Sequence, residues 1–211
     1  MPDIVTKVLH GKNLVTVVVN EAEAFSLSPA TYREQPLQPN DPVDISALRD
    51  WLLAKQYPEA LSKAVRLLAG RARSRQEVAR KLESCGYMEQ TVTTVLSKLE
   101  KERLVNDEAF AQAWVAARIR RGLGTSRLMR ELRQKGVPRQ TAEQACAGMD
   151  PDDRGDEAAK TALKLLKRYA GEPDSAKALQ KVLAAMNRRG FGYGEASAAI
   201  ASARTLEPGR L

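Results

Sequence analysis

Three glycines constrain this chain more than any other feature. Around Gly86, Gly136 and Gly190 one apolar pattern recurs, at a spacing of about 50 residues. Four residues before each glycine stand Leu82, Leu132 and Met186, and eight before stand Val78, Leu128 and Val182. One residue after come Tyr87, Val137 and Phe191; six after come Val92, Ala142 and Ala196. Nine and ten after come Val95-Leu96, Ala145-Cys146 and Ala199-Ile200; thirteen after come Leu99, Met149 and Ala203. The offsets before the glycine trace one face of a helix, and the later offsets trace one face of another. The glycine sits just past the end of the first helix. There a positive φ closes the turn cheaply and the next apolar residue packs back. Each segment therefore predicts helix, tight turn, helix. A further helix is predicted before each pair, over residues 58–70, 107–121 and 153–169. The period implies three tandem three-helix units. Units of this size bury little alone, so they are expected to stack into an elongated, curved solenoid.

The first 28 residues read differently. Residues 4–9 and 14–19 are rich in β-branched residues, and His10-Gly11-Lys12-Asn13 between them is turn chemistry. A second turn at 20–23 precedes residues 24–27. A short antiparallel β meander is expected, which needs a helix to pack on. Residues 36–44, with Pro36, Pro39 and Pro42, read as an irregular connector. Asp44 or Ser46 can then cap a helix through about Lys55. Ser74 and Glu77 form the S-x-x-E capping box. Asn106 or Asp107 can cap the helix that opens the second unit, and Pro138 suits a helix start. The expected organisation is a meander with its connecting helix at 1–56, repeats at 57–105, 106–150 and 151–205, and a tail at 206–211. The fold class is mainly α.

Charge narrows the function. The 34 basic and 26 acidic residues give a net +8. Residues 1–56 hold 5 basic and 7 acidic groups, whereas 57–105 hold 10 and 6, and 106–149 hold 8 and 4. The excess is central, which favours a polyanion or an acidic protein surface as partner. One histidine and the two cysteines Cys85 and Cys146 make neither a disulfide framework nor a zinc site of ordinary spacing. Both cysteines lie in apolar-periodic stretches and read as core residues. No nucleophile–base arrangement is present, so an enzyme is not expected, and no cofactor or metal is implied. No apolar run approaches the roughly 20 residues of a membrane helix, and the start of the chain lacks a signal-peptide pattern. The expectation is a cytoplasmic protein without membrane contact.

Two arginine-rich clusters flank equivalent turns. Around the first are Arg66, Arg71, Arg73, Arg75, Arg80 and Lys81; around the second are Arg118, Arg120, Arg121, Arg127, Arg130, Arg133 and Lys135. Arginine forks match phosphate or carboxylate two bonds at a time. Glu77 with Lys81 and Glu131 with Lys135 stand at the favourable i,i+4 spacing. Neutralising about six phosphates would give a salt slope near −4 on single strands. Gly122-Leu123-Gly124 reads as a flexible inter-helix turn, since no phosphate-loop pattern surrounds it. Phe110 and Trp114 read as core of the second unit, and Trp51 and Tyr57 as a joint between meander and first repeat. Tyr169, Phe191 and Tyr193 are candidates for exposure.

Across residues 60–148 the chain resembles the RecX family. Residues 64–74, from Ala64 through Arg71-Ala72-Arg73-Ser74, followed by Glu77 and Lys81-Leu82, are similar to that family's first repeat. Leu104-Val105-Asn106-Asp107-Glu108-Ala109-Phe110-Ala111 with Trp114-Val115 resembles the acidic start of its second, with Asn106 in place of the usual aspartate. Gly124-Thr125-Ser126-Arg127-Leu128, then Glu131-Leu132 and Lys135-Gly136-Val137, resembles the motif that follows. Residues 153–203 match most loosely. The resemblance implies a non-enzymatic regulator that binds the RecA recombinase filament on single-stranded DNA. Such a protein limits filament growth, promotes disassembly and inhibits strand exchange and ATP hydrolysis during recombinational repair and the SOS response. It implies weak direct binding to single-stranded DNA and no small-molecule substrate. A monomer is expected, because no spare apolar helix face stands out. The alternative reading is a tandem helix-turn-helix protein that recognises a duplex sequence. Reversing Arg71, Arg73, Arg127 and Arg130 to Glu is the test that the sequence suggests for the basic surface.

Overall fold

A computed structural model describes residues 2–206 and divides the chain into two units, residues 1–106 and 107–211. In the first unit, β1 (Asp3–His10), β2 (Val15–Val19) and β3 (Glu23–Leu27) form the expected meander. Val17 pairs with Val8 on one side and Phe25 on the other. Alternation then sends Val15, Val17 and Val19 to the buried face, with Val5, Phe25 and Leu27. The β2–β3 hairpin closes through residues 20–22 between the paired Val19 and Glu23; Asn20 and Glu21 have positive φ, and Ala22 N donates to Val19 O at 3.1 Å.

Two small elements lie where the sequence was assigned nothing regular. A short helix, α1 (Pro29–Glu34), is capped by the Ser28 hydroxyl, which accepts from Thr31 N. The strand β4 (Pro42–Val43) pairs with the free edge of β1, giving the order β3-β2-β1-β4. A two-residue strand carries no periodicity, so its proline-rich context masked it.

The long helix α2 (Ile45–Gly70) corrects the expectation of two helices separated near residues 55–58. Pro58 lies inside it and stays exposed, although proline deletes a helical hydrogen bond. Continuity is held by burial on both sides of the proline. Leu48 and Leu52 bury in the sheet core, and Ala60 and Ala64 bury in the core of the first repeat. Between them Gln56, only 4% exposed, donates from Nε2 to Ser26 O at 2.8 Å. Its Oε1 accepts from Met88 N at 2.9 Å and Thr91 Oγ1 at 3.2 Å. Trp51 packs on the sheet core and Tyr57 on the repeat core, so the expected joint is present. Asp44 is the cap that is used: its carboxylate accepts from Ser46 N and Ala47 N. The Ser46 hydroxyl, then those amides, hold that carboxyl below its usual pKa.

The helices α3 (Arg75–Glu83) and α4 (Glu89–Lys101) complete the first repeat, and the Ser74–Glu77 capping box is formed in both directions. The second unit contains α5 (Asp107–Ile119), α6 (Thr125–Gln134) and α7 (Arg139–Ala147), then α8 (Pro151–Tyr169), α9 (Ser175–Arg188) and α10 (Tyr193–Leu206). Every repeat has its own core built from the predicted offsets, including Leu82, Val95 and Leu99 in the first, Leu128, Leu132 and Cys146 in the second, and Val182, Met186 and Ile200 in the third. Gly86, Gly136 and Gly190 have φ of 80°, 77° and 93°, as the turn geometry demands.

Two further expectations change. The turn Gly122-Leu123-Gly124 is not a loose linker: both glycines are buried. Gly124 N donates to Arg189 O at 3.0 Å, and Ser126 N to Gly190 O at 3.1 Å, tying the second repeat to the third. Phe191 is buried at 4% exposure, because it packs back into its core as Val137 does, whereas Tyr193 is 78% exposed. The chain end at 207–211, most of the expected tail, lies outside the described residues.

Candidate polyanion-binding surfaces

The helix ends and turns of the first repeat position six basic residues, and the structure divides them by what they touch. Arg73 Nε donates to Leu67 O at 3.0 Å, closing one of the carbonyls left open at the end of α2. Arg71 forks onto both oxygens of Glu77 at 3.0 and 3.1 Å, and this hydrogen bonding raises the guanidinium pKa further. Arg75 reaches across to Glu100 on α4 at 2.8 Å. These three arginines hold the repeat together. Arg66, Arg80 and Lys81 are exposed.

In the second repeat Glu131 is a hub. It accepts from Arg127 Nε at 3.2 Å and from Trp114 Nε1 at 3.1 Å, and pairs with the Arg118 guanidinium, whose Nε lies 3.2 Å away. The guanidinium of Arg118 and the ammonium of Lys135 each lie 4.3 Å from the Trp114 ring centroid. Phe110 stacks on Trp114 at 5.9 Å. Phe110 is buried as expected, but Trp114 is half-buried and joins the core to two cations. With cations and Phe110 against it, the ring is ill placed to stack on a base. Arg120 and Arg121 emerge exposed beyond the end of α5, and Arg130 and Arg133 are exposed on α6.

The structure also assembles a groove of about 840 Å³ between α6, α7 and the start of α8. Arg130 and Arg133 line it together with Arg139 and Arg154, two residues outside the clusters read from the sequence. Arg139 carried a usable signal: it stands three residues after Gly136, on the helix face that α7 turns toward α6. Arg154 carried none, since its approach depends on how α8 crosses. Cys146 lies in the floor, where burial pushes its thiol pKa up and Arg154 opposes that shift. Among the described residues no group of three or more His, Cys, Asp or Glu side chains is placed to hold a metal ion. No described helix is long and apolar enough to cross a membrane.

Comparison with known proteins agrees with this architecture. Residues 60–99 match the family description "RecX, first three-helix domain", and residues 106–145 match "RecX, second three-helix domain". The chain is 38% identical over 154 residues to a protein of Corynebacterium efficiens named "Regulatory protein RecX", covering 71% of this chain and 73% of that one. A protein of the same name from Amycolatopsis mediterranei is 36% identical over 147 residues, covering 69% and 83%. Among solved structures, a crystal structure of regulatory protein RecX covers 92% of this chain and 97% of its own, with a TM-score of 0.64 at 24% identity. RecX from Lactobacillus salivarius covers 72% and 99%, with a TM-score of 0.67 at 23% identity, and both structures speak to the fold alone. With two of its three-helix repeats matched in order and relatives covered over most of their length, the chain belongs to the RecX family of regulatory proteins.

Proposed function

We propose that this protein binds the RecA filament on single-stranded DNA and limits its growth, acting as a cytoplasmic, monomeric regulator and not as an enzyme. Family membership supports the class of function. The observation that carries the surface assignment is that some of the basic residues are engaged with the fold and others present exposed charge. Arg71, Arg73, Arg75, Arg118, Arg127 and Lys135 are engaged with the fold. Arg66, Lys81, Arg120, Arg121, Arg130 and Arg133 present exposed charge around equivalent turns of two repeats. Bound along a filament, Arg66, Lys81, Arg120 and Arg121 would hold the DNA or adjacent subunits, Arg130 and Arg133 would hold an adjacent subunit, and together they would obstruct ordered subunit addition.

The division changes the mutational test. Three of the four arginines that the sequence suggested reversing stabilise the fold, so their loss confounds binding with folding. The better set is Arg66→Glu, Lys81→Glu, Arg120→Glu and Arg121→Glu. The measurement is single-stranded-DNA-dependent ATP hydrolysis by the cognate recombinase, titrated with this protein. Inhibition well below one protein per recombinase subunit is expected. The four-residue variant, with helicity intact, should lose most of it. Unaltered hydrolysis at every ratio removes the reading in favour of a duplex-specific helix-turn-helix protein, and full inhibition by the variant removes the surface assignment.

A further inference from the structure

We propose that the groove between α6 and α7 is a docking site for an acidic peptide segment carrying an apolar anchor residue. Two helix faces build it. On α6, Met129, Arg130 and Arg133 share one stripe, beside the stripe of Leu128 and Leu132 that enters the core, on which Met129 also packs. On α7, Arg139, Ala142 and Cys146 share the facing stripe. Val137, Ala142 and Cys146 are buried and form an apolar floor, with half-buried Met129 beside them. Arg130, Arg133 and Arg139 are exposed and form a basic rim, which half-buried Arg154 extends from α8. Among the described residues a single carboxylate, Glu143, lines the groove, and Arg139 Nε donates to it at 2.7 Å.

The charge is not a by-product of the three-helix design. Positions six before, three before and three after the turn glycine are Arg130, Arg133 and Arg139 in the second repeat. In the first repeat they are Arg80, Glu83 and Glu89, and in the third Ala184, Asn187 and Tyr193. The same helix faces therefore carry an all-arginine rim in the second repeat alone.

The pairing of rim and floor selects the occupant. No aromatic side chain lines the groove among the described residues, so stacked bases find no platform. An apolar floor contributes little to a phosphate chain, but it shelters a leucine- or phenylalanine-sized side chain. The guanidinium rim pairs with carboxylates on either side of such an anchor. The volume of about 840 Å³ accommodates one anchor and its neighbours, not a folded domain. Met129 suits an imprecise fit, since its unbranched thioether adapts to different anchors. This deepens the regulator reading by giving the partner's chemistry at Arg130 and Arg133, and it rests on that reading only for the source of the peptide, a segment displayed by the filament.

The test uses the full chain without recombinase, so that its failure and the failure of the regulator reading stay separate. Fluorescein-labelled decapeptides of Asp and Glu with a central Leu, Phe or Met are titrated by fluorescence anisotropy. Each is compared with its Ser-centred counterpart and with a ten-nucleotide oligo(dT). At least one apolar-centred peptide should bind tenfold or more tightly than the Ser-centred peptide. Arg130→Glu with Arg133→Glu should lose that binding at least tenfold while oligo(dT) affinity changes less than twofold. Arg130→Gln with Arg133→Gln provides the milder variant should the reversal disturb folding by circular dichroism. If no apolar centre improves binding, or if the paired variant weakens oligo(dT) as much as peptide, the proposal is overturned, the second outcome marking the groove as a nucleic-acid site.

Discussion

At the scale of single residues, this protein depends on places where only hydrogen fits. Gly190 has φ of 93°, and a Cβ built there would fall on the Arg127 backbone and Cβ. Gly124 faces the same junction from the other side, where a Cβ would strike Phe191 N and the Gly190 carbonyl. Backbone therefore meets backbone between the second and third repeats. Gly190→Ala combines overpacking with left-handed strain and should cost at least about 3 kcal/mol. Gly155→Ala is the contrast: it lies within α8, a Cβ there meets nothing within 4 Å, and the substitution should gain about 0.5–1 kcal/mol. Urea unfolding followed by circular dichroism separates the two. A Gly190→Ala midpoint equal to that of the unmodified chain would refute the close junction. Charge behaves in the same local way: Glu131 gathers Arg118, Arg127 and the Trp114 indole, so a cluster that looks uniformly available in the sequence is half committed to its own scaffold.

At the scale of elements, α2 decides how the N-terminal sheet is used. A four-stranded sheet of this size does not stand alone, and Leu48 and Leu52 supply the helix face that covers it. Gln56 then satisfies three groups on two elements at once: Ser26 O in β3, and Met88 N at the cap and Thr91 Oγ1 in the first turn of α4. Gln56→Leu keeps the volume but strands the Ser26 carbonyl and the Met88 amide. A loss of at least about 2 kcal/mol is expected, since each buried unsatisfied group costs about 1–3 kcal/mol. Amide hydrogen exchange should accelerate at Met88 and its neighbours more than in the second unit. Uniform or absent acceleration would show that the joint is held by apolar packing alone. The same helix explains why Pro58 is tolerated: one missing hydrogen bond is outweighed by two cores that each grip half of the rod.

At the scale of the whole molecule, a net +8 is less informative than which charges remain available. Within the two clusters, excluding the engaged side chains and the α6–α7 groove leaves Arg66, Lys81, Arg120 and Arg121 exposed. Four phosphate contacts correspond to a log K against log salt slope of about −2.8 on single-stranded DNA. Arg120→Gln with Arg121→Gln should flatten that slope by about 1.4, while Arg130→Gln with Arg133→Gln leaves it unchanged. Anisotropy titrations of labelled oligo(dT) across a salt series measure both, and a slope insensitive to Arg120 and Arg121 would place the DNA elsewhere.

The helical repeats, their turn glycines, the core offsets and the meander are all legible in the order of the residues. All of these are local: a helix face, a cap and a left-handed turn are written within a dozen neighbouring residues. Legible too is the clustering of positive charge around two equivalent turns. Which of those charges remain available depends on the folded chain: Arg73 meets Leu67 O, Arg75 meets Glu100 and Arg118 reaches Glu131 through folding that no spacing rule encodes, whereas Arg127 meets Glu131 at the i,i+4 spacing of one helix. The tertiary structure also decided the fate of residues whose local signal misleads. Pro58 sits inside a continuous helix, Gly122 and Gly124 are buried where a loose turn was expected, and Arg154 joins a groove through the crossing of α8. In each case burial against a distant element outweighs the preference of the nearby chain.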